Sequence, residues 1–252
     1  SSILEDRAGN LWLATSGGLV KYDGRDFVVQ QGWVDGAVLS MTEDRRGQLW
    51  FGAERGVSRY NGTQLHKISA VNGDTLSFVR TIWEDRDGNL WFGTEEGVYK
   101  YPLETIRHFT AADGLAGEVV KFALEDRDGN LWFGTEKGLS KYAGEQFQHL
   151  PLPGDGAGDR VLSMWQDRSC NTWVGTTAGL YRNFEPVEAV NTAVRAIVEE
   201  EAGPLWFASA EGVAYYDGTA FHRFLIEDAT QVALDKDGHL WVGTWNAGLY
   251  RC

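Results

Sequence analysis

The sequence predicts an all-β chain, a seven-bladed β-propeller of four-stranded antiparallel blades, and three observations carry the prediction. One short phrase recurs seven times, each time around a tryptophan: Trp12, Trp50, Trp91, Trp132, Trp173, Trp206 and Trp241. The spacings between these tryptophans are 38, 41, 41, 41, 33 and 35 residues, a period found in propellers, solenoids and tandem arrays. No stretch sustains a helical period, which argues against a helical solenoid.

The elements follow in order within each repeat. In its cleanest copies, residues 84–97 and 125–138, the phrase reads Glu-Asp-Arg-Asp-Gly-Asn-Leu-Trp-Phe-Gly-Thr-x-x-Gly. An acid stands six residues before every tryptophan: Asp6, Asp44, Asp85, Asp126, Asp167, Glu200 and Asp235. A glycine stands three before it in six copies, and Cys170 takes that place in the fifth. Acid, polar residue and glycine ahead of an apolar pair are hairpin chemistry, because the carboxylate accepts from the turn amides and glycine tolerates positive φ. The phrase Leu90-Trp91-Phe92-Gly93-Thr94 is aromatic and short, as strands are. A second tight turn closes at the glycine six after the tryptophan, one residue late at Gly248 in the last copy. A third strand follows, with tyrosine at 22, 60, 101, 142 and 216, and a fourth apolar stretch such as Gln146–Leu150 completes most units.

Four short strands in roughly 40 residues make one blade. The expected blades are 1–32, 33–73, 74–114, 115–155, 156–190, 191–226 and 227–252, forming a single domain. The last ends on its third strand at Tyr250-Arg251-Cys252. It is therefore expected to lack its outer strand and to keep an open edge, a pairing hazard that a partner or a second copy would cover.

The seven tryptophans read as core, since a blade cannot bury its faces alone. Each buries roughly 200 Å², or about 5 kcal/mol of gross burial before ordering costs. The glycines two residues later (Gly52, Gly93, Gly134, Gly175 and Gly243) are expected to leave room for the next blade. The acidic turns superficially match a calcium loop and the Asp-box of sialidases. A calcium loop needs several converging oxygens, and the second acid is missing from the first, second, fifth and sixth copies. Turn stabilisation accounts for them better, and no metal or cofactor is expected.

Composition narrows the function classes. Thirty-six acidic against 23 basic side chains give a formal charge of −13, which disfavours nucleic acid and anionic lipid as partners. No apolar run approaches the ~18 residues that span a bilayer, so no membrane insertion is expected from this segment. The two cysteines, Cys170 and Cys252, support neither a disulfide framework nor a metal site. His66, His108, His149 and His222 are expected on the fourth strands of four different blades and His239 in a hairpin turn, so they cannot converge on one metal. No serine-nucleophile elbow or phosphate loop occurs, and nothing in the sequence makes a positive case for catalysis.

The unit Glu-Asp-Arg-Asp-Gly-Asn-Leu-Trp-Phe-Gly-Thr-Glu-Lys-Gly-Leu-Ser-Lys-Tyr, residues 125–142, resembles the two-component regulator propeller repeat, and the likeness extends over essentially the whole chain. It lacks the Gly-His and Trp-Asp of WD repeats and the glycine doublet of kelch repeats. The resemblance implies a non-enzymatic sensor of bacterial signalling systems, periplasmic or extracellular, often responding to carbohydrate breakdown products. Full receptors of this kind carry two propellers, a β-sandwich and a membrane helix, of which this sequence holds one propeller.

Topology places the Asp-x-x-Gly hairpins on one face and the varied turns and links on the other, where a specific site belongs. The candidate ligand residues there are Trp33, Asp74, Arg80, Lys121, Arg160, Arg195, Trp245 and Asn246. Arg80, Lys121 and Arg195 share one position, eleven before the motif tryptophan, and suit an acidic or hydroxyl-rich ligand at the channel mouth. The alternative pairs them with the acids Glu54, Glu95, Glu96, Glu136 and Glu211. Trp245, in a turn with one extra residue, reads as a sugar-stacking platform beside Asn246 or as a partly packed side chain. Trp83 and Trp165 read as inter-blade core. Three functions compete: a sensor of a small molecule such as an oligosaccharide, a protein-interaction scaffold, and, behind both, an enzyme like the streptogramin lyases, which have a similar fold.

Overall fold

Strands form where β-branched and aromatic residues alternate between glycine-bearing turns, and each turn returns the chain beside itself. The computed structural model describes residues 2–15, 18–71, 74–101, 106–143, 145–152, 160–201, 203–224, 226, 228–235 and 237–252, without the side chains of Val71 and Asp74. Blade one comprises Ile3–Glu5, Leu11–Thr15, Gly18–Tyr22 and Phe27–Val29, and blade two Val38–Glu43, Leu49–Ala53, Gly56–Tyr60 and Leu65–Ile68. Blade three comprises Thr81–Glu84, Leu90–Gly93, Val98–Tyr101 and Arg107–Phe109. Blade four comprises Val120–Glu125, Leu131–Thr135, Gly138–Ala143 and Gln146–Leu150. Blade five comprises Val161–Gln166, Thr172–Thr176, Leu180–Arg182 and the short Glu185–Pro186. Blade six comprises Val194–Glu199, Leu205–Ser209, Gly212–Tyr216 and Phe221–Phe224, and blade seven Ala229–Leu234, Leu240–Thr244 and Leu249–Arg251.

Every blade is an antiparallel meander in sequence order, with four strands in six blades and three in the seventh. The first strands of successive blades touch one another, and those of blades seven and one also meet, so the ring closes around an axis lined by first strands. The links add two small elements that the repeat does not announce. A two-residue pair, Ala70–Val71 with Asp74–Thr75, stands between blades two and three, and a 3₁₀ turn at Ala111–Asp113 between blades three and four. The four histidines expected on fourth strands lie on them, and His239 lies in the blade-seven hairpin.

The motif tryptophan is held from three sides. Its indole N–H donates to the acid six residues earlier in all seven blades, at 2.7 to 2.9 Å. The other carboxylate oxygen accepts from turn amides, as Asp85 Oδ1 does from Asp87 and Asn89. Burial works against ionisation of Asp6, Asp126, Asp167 and Asp235, yet these donors outweigh it and hold all four carboxyls below their ordinary range. On the ring face lies a cation from the third strand: Lys21, Arg59, Lys100, Lys141, Arg182 and Arg251 sit 4.9 to 5.7 Å from the Trp12, Trp50, Trp91, Trp132, Trp173 and Trp241 rings, within cation–π range. Blade six uses Tyr215 instead, 4.9 Å from Trp206.

The remaining side of the ring meets the next blade. Trp12 packs on Phe51, Trp50 on Phe92, Trp91 on Phe133 and Trp173 on Phe207, with centroids 5.4 to 6.0 Å apart. Apolar clusters of this kind fill the six junctions from one–two to six–seven. Trp83 and Trp165 pack against the three–four and five–six clusters. The glycine two after the tryptophan makes the close approach possible. A Cβ on Gly93 would lie 2.6 Å from Val120 Cγ1, and one on Gly134 2.8 Å from Val161 Cγ1.

The hairpin face carries an inter-blade belt that the repeat pattern did not reveal. The Arg7, Arg45 and Arg86 amides each donate to the glutamate before the next blade's turn: Glu43, Glu84 and Glu125. Their guanidinium groups donate onward to the carbonyls of Arg45, Arg86 and Asp126. Arg127 and Arg168 continue the belt to Arg168 and Glu200. The side chains on this face are thus committed to one another, and the opposite face holds the candidate site.

Candidate functional site

The first strand of a blade enters from the varied face, and in five blades it slips register near its start. Leu39, Lys121, Leu162, Arg195 and Thr230 each stand unpaired between neighbours that do pair with the second strand. All five occupy the position eleven before the motif tryptophan. A bulge re-aims a side chain without breaking the ladder beyond it. In blade three Arg80 holds the same position just ahead of its strand, its amide donating to the Gly93 carbonyl at 2.8 Å.

This geometry gathers charge over three adjacent blades. Arg80 forms an ion pair with Glu95 and lies 5.9 Å from the Phe78 ring. Half-buried Lys121 has its ammonium pushed below the ordinary lysine range, first by burial and then by the positive charges of Arg80 and Arg160. Glu95 and Glu136 oppose that shift without cancelling it. Glu136 Oε2 also accepts from the Val119 amide at 2.8 Å. Among the described residues, the charged groups acting on Lys121 are thus the cations Arg80 and Arg160 and the carboxylates Glu95 and Glu136.

The other candidates fall elsewhere. Arg195 is apart from this group; its Nη1 donates to the Ala229 carbonyl at 3.2 Å and ties blade six to seven. Trp33 is drawn into the one–two junction, with its ring 5.7 Å from Trp12 and 4.6 Å from Tyr60. Its apolar surface is thus spent on packing rather than presented on the open face. Asp74 lies in the two-residue strand of the link, and its side chain is outside the described residues. Of the acids offered as partners, Glu95 holds Arg80, whereas Glu211 pairs with Arg223 at 2.9 Å.

Trp245 is 79% exposed, and its amide donates to the Asp228 carbonyl at 3.1 Å. With Asn246 it rims a cleft of about 300 Å³ between blades seven and one, lined also by Ile3, Leu13, Gln231 and Gly243. Asp235, Asp237 and His239 bring three ligand-type atoms within 4.8 Å of one another. The turn already employs them: Asp235 accepts from the Asp237 and His239 amides and from Trp241, and Arg251 lies against the His239 ring. Cys170 and Cys252 are free and exposed. Among the described residues no helix is long and apolar enough to cross a membrane.

The family model for the two-component regulator propeller matches residues 1–17, 32–55, 75–96, 114–137 and 225–246. These five segments, in blades one to four and seven, thus match the two-component regulator propeller repeat. Its fold is similar to the extracellular domain of BT4673 from B. thetaiotaomicron, described as a one-component system (TM-score 0.86, 21% identity, all of this chain and 38% of that one). It is also similar to the extracellular domain of BT3049 from the same organism, described as a hybrid two-component system (TM-score 0.80, 22% identity, 98% of this chain and 39% of that one). A third likeness is to an inactive virginiamycin B lyase from Staphylococcus aureus with quinupristin (TM-score 0.76, 15% identity, 96% and 90% coverage). At these identities the likenesses show the fold, and the chain spans under two-fifths of the length of the two signalling domains. No curated protein matches the chain.

Proposed function

We propose that this propeller is a non-enzymatic ligand-binding module of a bacterial signalling system, working in the periplasm or outside the cell. Its ligand is a small polar molecule bearing a carboxylate, such as an acidic saccharide, held at the channel mouth on the varied face. The observation that carries the reading is that Arg80, paired with Glu95, and Arg160 both act on half-buried Lys121 at the starts of three adjacent blades. Arginine engages a carboxylate through paired N–H donors, and lysine adds a point charge. The extracellular setting of the two signalling domains with this fold supports the location. A lyase reading has less support, because all five histidines lie on fourth strands or in a hairpin and none on the first strands around the axis.

The test is a thermal-shift screen of glucuronate, galacturonate and their oligomers against neutral counterparts, on the wild type and Lys121→Gln. The reading expects acidic ligands to raise the melting temperature of the wild type and not of the variant. Equal shifts in both proteins, or none in either, would remove the channel mouth as the site.

A further inference from the structure

Blade three departs from the repeat at one point, and that point lies beside the cationic group. In blades two, four, five, six and seven the carbonyl thirteen residues before the motif tryptophan accepts from the amide four residues after it. Ala37 accepts from Glu54, Val119 from Glu136, Arg160 from Thr177, Ala193 from Ala210 and Asp228 from Trp245, at 3.0 to 3.2 Å. Phe78 holds that position in blade three, and among the described residues no such bond joins it to Glu95. Its amide donates instead to the Glu54 carbonyl of blade two, at 3.0 Å. The first strand of blade three accordingly starts at Thr81, ten before its tryptophan, where those of the other five start twelve before theirs.

The backbone at Phe78 is left-handed, with φ of 47°. That conformation is strained for a bulky side chain, and glycine, asparagine or aspartate adopts it far more readily. Asp228 is left-handed as well, at 54°, but it is a residue of that tolerant kind and keeps its bond to Trp245. The other left-handed phenylalanine, Phe184 at 68°, sets its ring 5.8 Å from Trp132 in the four–five junction, so core packing accounts for it. No packing of that kind accounts for Phe78. It is 38% exposed although Leu76 and Val79 beside it are fully buried, and among the described residues its ring meets no other aromatic ring. Its charged neighbour is Arg80, whose guanidinium lies 5.9 Å from the ring centroid. Strain held at one exposed side chain, in one repeat of seven, points to a binding position rather than to the core.

We propose that Phe78 is the stacking platform of the channel mouth and makes that site selective for cyclic acids. The ligand's carboxylate meets Arg80 and Lys121 while the apolar face of its ring lies on Phe78. The inference rests on the channel-mouth reading and narrows its ligand to a carboxylate-bearing pyranose. An aromatic face offers flat apolar area to the C–H face of a sugar ring, and a few polar groups then fix its orientation. Buried Leu76 and Val79 and the bond to Glu54 hold the Phe78 backbone in place before a ligand arrives, so little ordering is left to oppose binding. An open-chain acid reaches the same cations but has no flat face to lay on the ring.

The test is calorimetry with methyl α-galacturonoside, whose ring is locked, and with galactonate, an open-chain acid of the same charge. Wild type, Phe78→Gly, Phe78→Trp and Lys121→Gln are compared. The proposal expects the galacturonoside to bind the wild type more tightly than galactonate by about tenfold, the scale of one aromatic anchor. Phe78→Gly should lose that preference while binding galactonate as the wild type does, and Phe78→Trp should keep it. Glycine relieves the left-handed backbone, so Phe78→Gly is also expected to hold or raise the melting temperature, whereas loss of a core side chain would lower it. Equal binding of the two acids by the wild type, a preference that survives Phe78→Gly, or a lowered melting temperature for that variant would overturn the proposal. The cationic site itself stands in those cases if Lys121→Gln abolishes binding of both acids. No binding of either acid to the wild type would remove the proposal together with the reading it rests on.

Discussion

Replacing Asp85 by alanine tests how much the acid six residues before each tryptophan contributes to the fold. Asp85 accepts from the Asp87 and Asn89 amides at 3.0 and 2.8 Å, from Asn89 Nδ2 at 2.8 Å and from Trp91 Nε1 at 2.7 Å. Trp91 is fully buried, so its indole N–H has no water to turn to once the carboxylate is gone. An orphaned buried donor costs about 1–3 kcal/mol, and the partly buried Asn89 amide adds a similar or smaller amount. The expected loss for Asp85→Ala is therefore about 2–5 kcal/mol. At about 2–4 °C per kcal/mol for a domain of this size, the melting temperature falls by roughly 4–20 °C. Asp85→Asn keeps an acceptor for the turn amides but can place an N–H₂ against the indole N–H, so it should fall between alanine and wild type. Urea titration followed by tryptophan fluorescence and circular dichroism measures both variants. A loss below about 0.5 kcal/mol for Asp85→Ala, the range of ordinary surface changes, would refute the reasoning that the clasp holds the core tryptophan.

Three further outcomes follow from the same geometry. Gly93→Ala puts a Cβ 2.5 Å from Thr81 Cγ2 and 2.6 Å from Val120 Cγ1, and overpacking of that kind costs about 1–3 kcal/mol; Gly243→Ala meets nothing nearer than 3.7 Å and should leave the urea midpoint unchanged. The carboxyls of Asp6, Asp126, Asp167 and Asp235 are held low in the folded state. Their contribution is thus fully present above the unfolded value of about 4 and is lost as pH falls through their folded values, so a pH series should show a steady urea midpoint near neutrality and a decline beginning below about pH 4. Lys121 is depressed in the folded state by burial and by its cationic neighbours, so its charge opposes folding at neutral pH and stability should rise as pH climbs toward the unfolded lysine value; Lys121→Gln should raise the urea midpoint at pH 7 and flatten that rise.

The blade count, the hairpins and the core tryptophans were legible because they rest on local spacing repeated seven times. The glycine before Val120 or Val161 was legible for the same reason, since every blade must clear its neighbour at one register. The indole-to-carboxylate clasp stands in the sequence as a constant six-residue interval, but a hairpin turn by itself also accounts for an acid at that position. Trp33 was not legible, because it lies on a link, where no repeat fixes which way a ring turns. Arg80, Lys121 and Arg195 shared a register position, yet charge convergence depends on which blades are adjacent and on an outlier, Arg160, two residues off that register. The cleft was beyond any local pattern, since Ile3 and Gly243 meet only when the ring closes.

The central claim is that a carboxylate-bearing ligand is held by the Arg80–Lys121–Arg160 group. Calorimetric titration of the wild type and of the Arg80→Gln/Lys121→Gln double variant with digalacturonate, at low and high salt, tests it most directly. The account predicts saturable binding that weakens with salt, as exposed ion pairing does, and that is lost in the double variant. Binding of equal strength in both proteins, or a neutral disaccharide binding as tightly as the acidic one, would contradict it.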